Sequence, residues 1–400
     1  MNMPPTSTLR PLGAFERIID LYISRNPVQF SLAVELASPI SPGRLRRALF
    51  ELQALHPLLT ARIDRGDDRP TFRRDHAPIP VNHMWESDWQ TEAAAEQTRP
   101  IDPEGSPLVR ATLITDAGPT RASSVVLTFS HQISDGRGAL LAVHDLVALL
   151  AGRTGRARTV PDAEEDHVQL LPSAETPAVG LSADEEAPRP AAVRPFDAAS
   201  PTIDVAELDD VTTGRLRAAA RANDSTVQGV LCAAAALELL AGSPQEQVRI
   251  NVPIDLRPLL GLDDAVVNRF VATTVMLSAN AEDDLWSLAR CASMQLRSAR
   301  ERAAESIAIL ASLPPGDAAA AKAAMLTATA ADLEISNLGV SADEGSGVLS
   351  IWGPTMTTQV RGERILGVLT QGGRLRLTLT THEQIGTLVA GIVRRVTSAV

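Results

Sequence analysis

The stretch from Ser124 to Leu150, SVVLTFSHQISDGRGALLAVHDLVALL, constrains this chain more than any other. Val125, Val126, Leu127 and Phe129 form a short apolar, β-branched run of the length of a buried strand, and it stops at polar residues. After the turn signal Asp135-Gly136, residues Ala139, Leu140, Val143, Leu146, Val147 and Leu150 recur at helical spacing. The pattern predicts a strand, a tight loop and an amphipathic helix, with an imidazole, a carboxylate and a glycine in the loop. His131 falls where the strand ends. An imidazole fixed there, with an ordinary pKa of ~6.5, is mostly neutral at pH 7 and able to accept a proton. The bland alternative stands beside it, because an Asp-Gly pair also serves as an ordinary turn.

Such a unit needs a sheet to join. The 400 residues exceed one ordinary core, so two domains are expected, and a hydrophobic content of 44% suffices for both. A net charge of −11 argues against nucleic-acid binding, which needs a basic face. Cys232 and Cys291 lack metal-ligand spacing and are too few for a disulfide framework, which suits a reducing compartment. The amino terminus has no basic start followed by an apolar run, and no stretch is long and apolar enough to span a membrane. The expectation is a cytoplasmic protein.

Along the chain, residues 1–152 make a first half. Residues 28–36 read as a strand, and Ser41-Pro42 as an N-cap and first helical position, with Pro57 marking that helix's end. His56 is expected to cap this helix or face solvent. Residues 60–75 read as two short strands around an Asp/Gly turn. His76 and His83 lack a carboxylate or cysteine to complete a ligand set, so no metal site is expected. Residues 153–205 are rich in proline and acid and read as a long crossover.

The second half, residues 206–400, restarts with two helices, the second capped by Ser225-Thr226 and ending at Gly242. Val248, Ile250 and Val252 alternate as in a strand, and residues 253–257 are expected to leave the sheet carrying one acid and one base. NRFVATTVMLS is a strand, residues 283–305 a long helix, and residues 318–331 an alanine-rich helix. Three late strands follow, LEISNLG, ERILGVLTQ and LRLTLTTH, the last two joined by a Gly372-Gly373 hairpin turn, and a helix from about residue 383 closes the chain. There is no Gly-rich phosphate loop and no Gly-x-Ser-x-Gly elbow. With only 3% aromatic residues, a binding channel is expected to be lined by aliphatic side chains.

His131-Gln132-Ile133-Ser134-Asp135-Gly136 after a strand resembles the His-x-x-x-Asp-Gly signature of the chloramphenicol-acetyltransferase-like superfamily. That superfamily includes condensation domains, BAHD acyltransferases and polyketide-associated acyltransferases. LQALHPLLTARI, VPIDLRP, VVNRFVATTV and ISNLG are similar to further family segments in the same order. The resemblance implies an α/β (α+β) protein of two similar domains, with mixed sheets flanked by helices, meeting in a V around a tunnel.

It also implies a role for particular residues. His131 would be the general base, taking the proton of an acceptor that attacks a thioester carbonyl. Asp135 would be structural, turned from the tunnel and paired with Arg257 across the halves. Gly136 would bring a backbone N–H near the oxyanion, and Ser130, Ser336 and Asn337 would be polar groups of the tunnel or oxyanion site, although a strand-end turn explains the last two equally. Ser130 stands where many relatives double the histidine, and Leu55 where many carry arginine. Both departures favour an O-acyltransferase or a more divergent member over a peptide-bond-forming enzyme.

The implied function is transfer of an acyl group from acyl-CoA or an acyl carrier protein to a hydroxyl of a secondary metabolite or lipid. The alternatives are a free-standing condensation enzyme with an amine or alcohol acceptor, and a catalytically silent module that binds a carrier protein. No cofactor is implied beyond the CoA or phosphopantetheine of the donor. Three arginine clusters, at Arg44, Arg46 and Arg47, at Arg153, Arg156 and Arg158, and at Arg297, Arg300 and Arg302, suit either CoA phosphates or an acidic carrier, or are solvated faces.

Overall fold

The computed structural model describes all residues except 1–6, 25, 67–68, 106, 116–121, 172–190, 242, 279–283, 315, 342–346 and 385. Its strands are β1 (Thr8–Pro11), β2 (Gln29–Leu36), β3 (Ala61–Asp64), β4 (Thr71–Arg74), β5 (Val81–Trp85), β6 (Val109–Thr115) and β7 (Ser123–Ser130). The later ones are β8 (Thr202–Leu208), β9 (Gln247–Asp255), β10 (Phe270–Ser278), β11 (Leu333–Val340), β12 (Val348–Thr357), β13 (Arg364–Gln371) and β14 (Arg374–Thr381). The helices are α1 (Ala14–Ile23), α2 (Pro42–Leu55), α3 (Trp89–Glu96), α4 (Gly136–Leu150), α5 (Asp210–Ala222) and α6 (Val227–Leu240). After them come α7 (Arg257–Leu260), α8 (Leu285–Glu301), α9 (Ala303–Ser312), α10 (Ala318–Ala328) and α11 (Leu388–Ser398). Among the described residues no helix is long and apolar enough to cross a membrane.

Two mixed sheets carry the fold, one of five strands in the order β12-β2-β7-β6-β5 and one of six in the order β10-β9-β11-β13-β14-β8, beside a small sheet β1-β4-β3. β7 lies at the centre of the first, and its apolar run is unbroken because both of its faces are buried. Val125, Leu127 and Phe129 pack with the leucines of α2 and α4, while Val126 meets Trp89 and Ala93 of α3 on the other side. α2 starts as its residues dictate, with the Ser41 hydroxyl accepting from the Arg44 N–H at 3.2 Å and Pro42 at the first position. The six-stranded sheet buries a second core under α6, α8 and α11.

The structure departs from the sequence pattern in several places. β12 belongs to residues 206–400, yet it pairs with β2 at the edge of the first sheet. Gly353-Pro354 lies within it, and an edge strand tolerates proline because no outer ladder bond is lost. β8 begins inside the expected crossover and forms the edge of the second sheet. β9 continues through Pro253 to Asp255 instead of leaving the sheet at the proline. The helix expected over residues 283–305 is two helices, because after Arg302 the chain turns to pack Ala303 and Ile307 against Leu256 and Leu260.

The alanine-rich helix stops at Ala328, and the final helix starts at Leu388. Gly242 and residues 172–190 of the crossover lie outside the described residues. His56 caps α2 but is not solvent-facing. It is 1% exposed, because α4 packs on α2 and brings Asp145 to 2.8 Å from its Nε2.

Candidate active site

β7 delivers His131 to the end of the first sheet, where its backbone N–H donates to the Val28 carbonyl at 3.2 Å. The ring sits 5.8 Å from Phe15, 5.3 Å from Phe30 and 5.7 Å from Phe270, centroid to centroid. Three of the chain's seven phenylalanines therefore gather around it, although the cavity wall as a whole carries more aliphatic than aromatic side chains. A low aromatic total says nothing about where the few aromatics converge. Burial among these rings lowers the His131 pKa below its ordinary value, against the opposing pull of Asp135 and Asn268.

Asn268, just ahead of β10, sets the tautomer. Its amide nitrogen donates to the backbone carbonyl of His131 at 2.9 Å, which turns its carbonyl oxygen to the imidazole Nδ1 at 3.2 Å. A carbonyl accepts only, so the neutral ring carries its proton on Nδ1 and leaves the Nε2 lone pair unprotonated. The side chain that orients the imidazole thus comes from the other half of the chain, and the sequence pattern singled out its strand without giving Asn268 a role.

Asp135 does more than turn the chain. Its Oδ1 accepts from the Gly138 N–H at 2.7 Å, capping α4, and from Arg257 Nη2 at 3.0 Å. Its Oδ2 accepts from Arg257 Nη1 at 2.9 Å and from the Arg269 N–H at 2.8 Å. Arg257 is 3% exposed and also donates to Asp255 and to the carbonyls of Ala265 and Val267. Burial alone pulls its guanidinium down, but Asp135 and Asp255 outweigh that and hold it above the ordinary arginine value. Asp135 also contributes to the cavity wall.

The cavity, about 110 Å³, opens where β9 and β11 part. These strands pair only at Leu333↔Ile250 and Glu334↔Asn251. Beyond that point Pro253 and Asp255 of β9, Ser336 and Leu338 of β11, Phe270 and Ala272 of β10 and His131 of the first sheet line the gap. Gly136 lies here too, packed so closely that a Cβ would come within 2.5 Å of Leu338. Asn337 is on the wall, and its amide donates to Gln228 at 3.0 Å.

Ser130 is not on the wall, and its hydroxyl bonds to Gln132 at 2.8 Å. Arg44 donates to the Leu150 carbonyl and Arg158 to Asp145, so the first two arginine clusters partly serve the α2–α4 contact, and none of the three lines the cavity. Two carboxyls stand out that sequence reasoning passed over. Burial pushes Glu334, on the cavity wall, up to about 7, against the bond from Asn251 and helped by the nearby Glu363. Glu363 is itself pushed up to about 7 by burial.

Comparison with solved structures settles the architecture. Polyketide synthase associated protein 5 from Mycobacterium tuberculosis superposes with a TM-score of 0.68 at 18% identity, over 99% of this chain and 98% of that one. A variant of the starter condensation domain of rhizomide synthetase in complex with C8-CoA superposes with a TM-score of 0.64 at 16% identity, over 97% of this chain and 94% of that one. The fold is that of the condensation domains. One of the plipastatin synthase subunits from Bacillus subtilis (strain 168) is 26% identical over 261 residues, 61% of this chain and 7% of that much longer protein. The chain thus spans about a tenth or less of the curated relatives it matches. No family model matches. In the condensation-domain fold of this protein, His131, Asn268 and the Asp135–Arg257 pair meet at the junction of the two larger sheets.

Proposed function

We propose that this protein is an acyltransferase that moves an acyl group from an acyl-CoA or acyl-carrier thioester to a hydroxyl of a secondary metabolite or lipid, with His131 as general base. The observation that carries this reading is the imidazole itself, neutral at pH 7, protonated on Nδ1 toward Asn268, and set on a cavity wall. As Nε2 takes the acceptor proton, the oxygen attacks the thioester carbonyl, the tetrahedral oxyanion collapses, and the thiolate leaves with that proton. A positioned base of this kind contributes ~10²–10⁴ in rate, and holding donor and acceptor together removes part of the entropic cost of their encounter. In this scheme Asp135 and Arg257 are positioning residues that hold the His131 loop against the second half, and the backbone N–H of Gly136 and the side chains of Ser336 and Asn337 are the polar groups nearest the reacting carbonyl.

The similarity to a polyketide-synthase associated protein and to a starter condensation domain crystallised with C8-CoA supports a place in natural-product assembly and a CoA or carrier donor. The alternative is a free-standing condensation enzyme joining a carrier-bound donor to an amine or alcohol, favoured by the match to plipastatin synthase.

The deciding assay offers a panel of acyl-CoAs and acyl carrier proteins with mixed alcohols and amines to the wild type and His131→Ala, with products read by mass spectrometry. Ester formation by the wild type and a loss of at least two orders of magnitude in the variant support the reading. Amide products from carrier donors alone point to the condensation enzyme. Carrier binding without turnover points to a silent module.

A further inference from the structure

Glu334 has no place in the acyl-transfer chemistry, yet it stands on the wall of the same cavity. Its partner across the last pair before β9 and β11 separate is Asn251, whose Nδ2 donates to Glu334 Oε2 at 2.9 Å. Asn251 is 4% exposed and also contributes to the wall, and its Oδ1 is buried without a hydrogen-bond donor. Such a buried acceptor is destabilising unless a hydrogen-bond donor satisfies it. Around the pair the wall is chiefly apolar, with Phe15, Ile19, Val28 and Met325 among its members. Two features thus converge, a carboxyl with no arginine, lysine or histidine shifting its titration, and an amide oxygen with no donor. Both are acceptors. A ligand that satisfies them must bring N–H donors, and positive charge would let the carboxyl ionise inside an apolar cavity.

We propose that the Asn251–Glu334 pair is a recognition site for an ammonium group on the acyl acceptor, so that the substrate is an amino alcohol whose hydroxyl reaches His131 while its cationic end rests on the pair. The assignment of the hydroxyl end rests on the acyltransferase reading, whereas the ammonium site does not. At ~3.3 Å per residue, Glu334 lies roughly 13 Å along β11 from Leu338, which packs on Gly136 beside the His131 loop. The acceptor is therefore taken to carry an aliphatic spacer between its two functional groups, its length read from the series below.

The test compares unbranched amino alcohols of four to ten carbons with the n-alkanols one carbon longer, which match them in size and lack the charge. Calorimetric binding at pH 7.5 to the wild type and to Glu334→Gln, with melting temperature as the check on folding, reads the site without requiring turnover. At the best length the wild type is expected to prefer the amino alcohol by at least about tenfold, and Glu334→Gln to bring that ratio to within about twofold of one. Glu334→Ala serves in its place if the glutamine variant melts abnormally. A wild-type ratio near one overturns the inference, as does a ratio that survives removal of the carboxylate. Parallel acyl-transfer assays with the same alcohols separate the two ideas: ester formation without ammonium preference sinks the recognition site alone, and preferential binding without any transfer sinks the acyltransferase reading alone.

Discussion

Asn268 grips His131 twice, donating from its amide nitrogen to the His131 carbonyl at 2.9 Å and presenting its carbonyl oxygen to the imidazole Nδ1 at 3.2 Å. The first bond orients the amide and the second then fixes the ring's tautomer, so one side chain just ahead of β10 decides which nitrogen of the imidazole at the end of β7 is basic. Asn268→Ala is expected to lower kcat about tenfold, because the wrong tautomer becomes populated and the ring gains freedom. Asn268→Asp places an anion beside Nδ1 and raises the imidazole pKa, so the acid limb of the kcat/KM profile should move to higher pH. An unshifted limb in Asn268→Asp would count against this contact.

The pH dependence of the wild type follows from the same site. The base form of His131 is required, and burial lowers its pKa below the ordinary 6.5. With an uncharged alcohol as acceptor, whose binding does not depend on Glu334, activity should therefore be level from pH 7 to pH 8 and fall only as pH drops through a value under 6.5. Stability moves the same way, since the unfolded imidazole binds protons that the folded one refuses, and this contribution, present above pH 6.5, is lost on acidification. With that uncharged acceptor, a kcat/KM profile with its acid limb at or above 6.5 would contradict the buried environment.

The Asp135–Arg257 pair joins the His131 loop to the segment after β9 through two bonds of 2.9 and 3.0 Å. Removing one partner strands a buried charge, at a cost of ~3–5 kcal/mol. Asp135→Ala loses in addition the cap of α4 and the bond from the Arg269 N–H. Urea unfolding should show Asp135→Ala and Arg257→Ala each strongly destabilised, and the double variant less so than the two losses added. Strict additivity, or an Asp135→Ala as stable as the wild type, would deny the coupling.

Glu334 titrates in the opposite sense to His131. Its folded pKa of about 7 exceeds the ordinary 4.5, so its favourable contribution is complete below the unfolded value and is lost as pH rises through about 7. Glu334→Gln does not titrate there. Its melting temperature relative to the wild type should therefore be a few degrees higher at pH 8 than the same difference at pH 5. A difference independent of pH would mean that the carboxyl is ionised at little cost.

His131 was legible in the sequence because strand, loop and helix are local patterns, each written within a few residues of itself. The Asp135–Arg257 pair was legible only through resemblance, since 122 positions separate its members and no periodicity links them. Asn268 stood inside a recognised segment without a role, and Glu334 looked like any polar residue alternating along a strand. β12 was hidden for a related reason, because Gly353-Pro354 is a breaker in every context except an edge or an irregularity, and the register of β12 on β2 does shift between Trp352 and Thr355.

The chain's own order of residues thus determined the buried centre of the first sheet, the caps of α2 and α4, the Gly372-Gly373 hairpin and the position of the imidazole, all set by steric and hydrogen-bonding preferences that act over a turn or a strand. Tertiary structure alone decided the rest: which phenylalanines gather at His131, which amide fixes its proton, and where β9 and β11 part to leave Asn251 and Glu334 facing a cavity. Burial and proximity create those properties, and both depend on segments far apart in sequence that meet only when the two larger sheets come together.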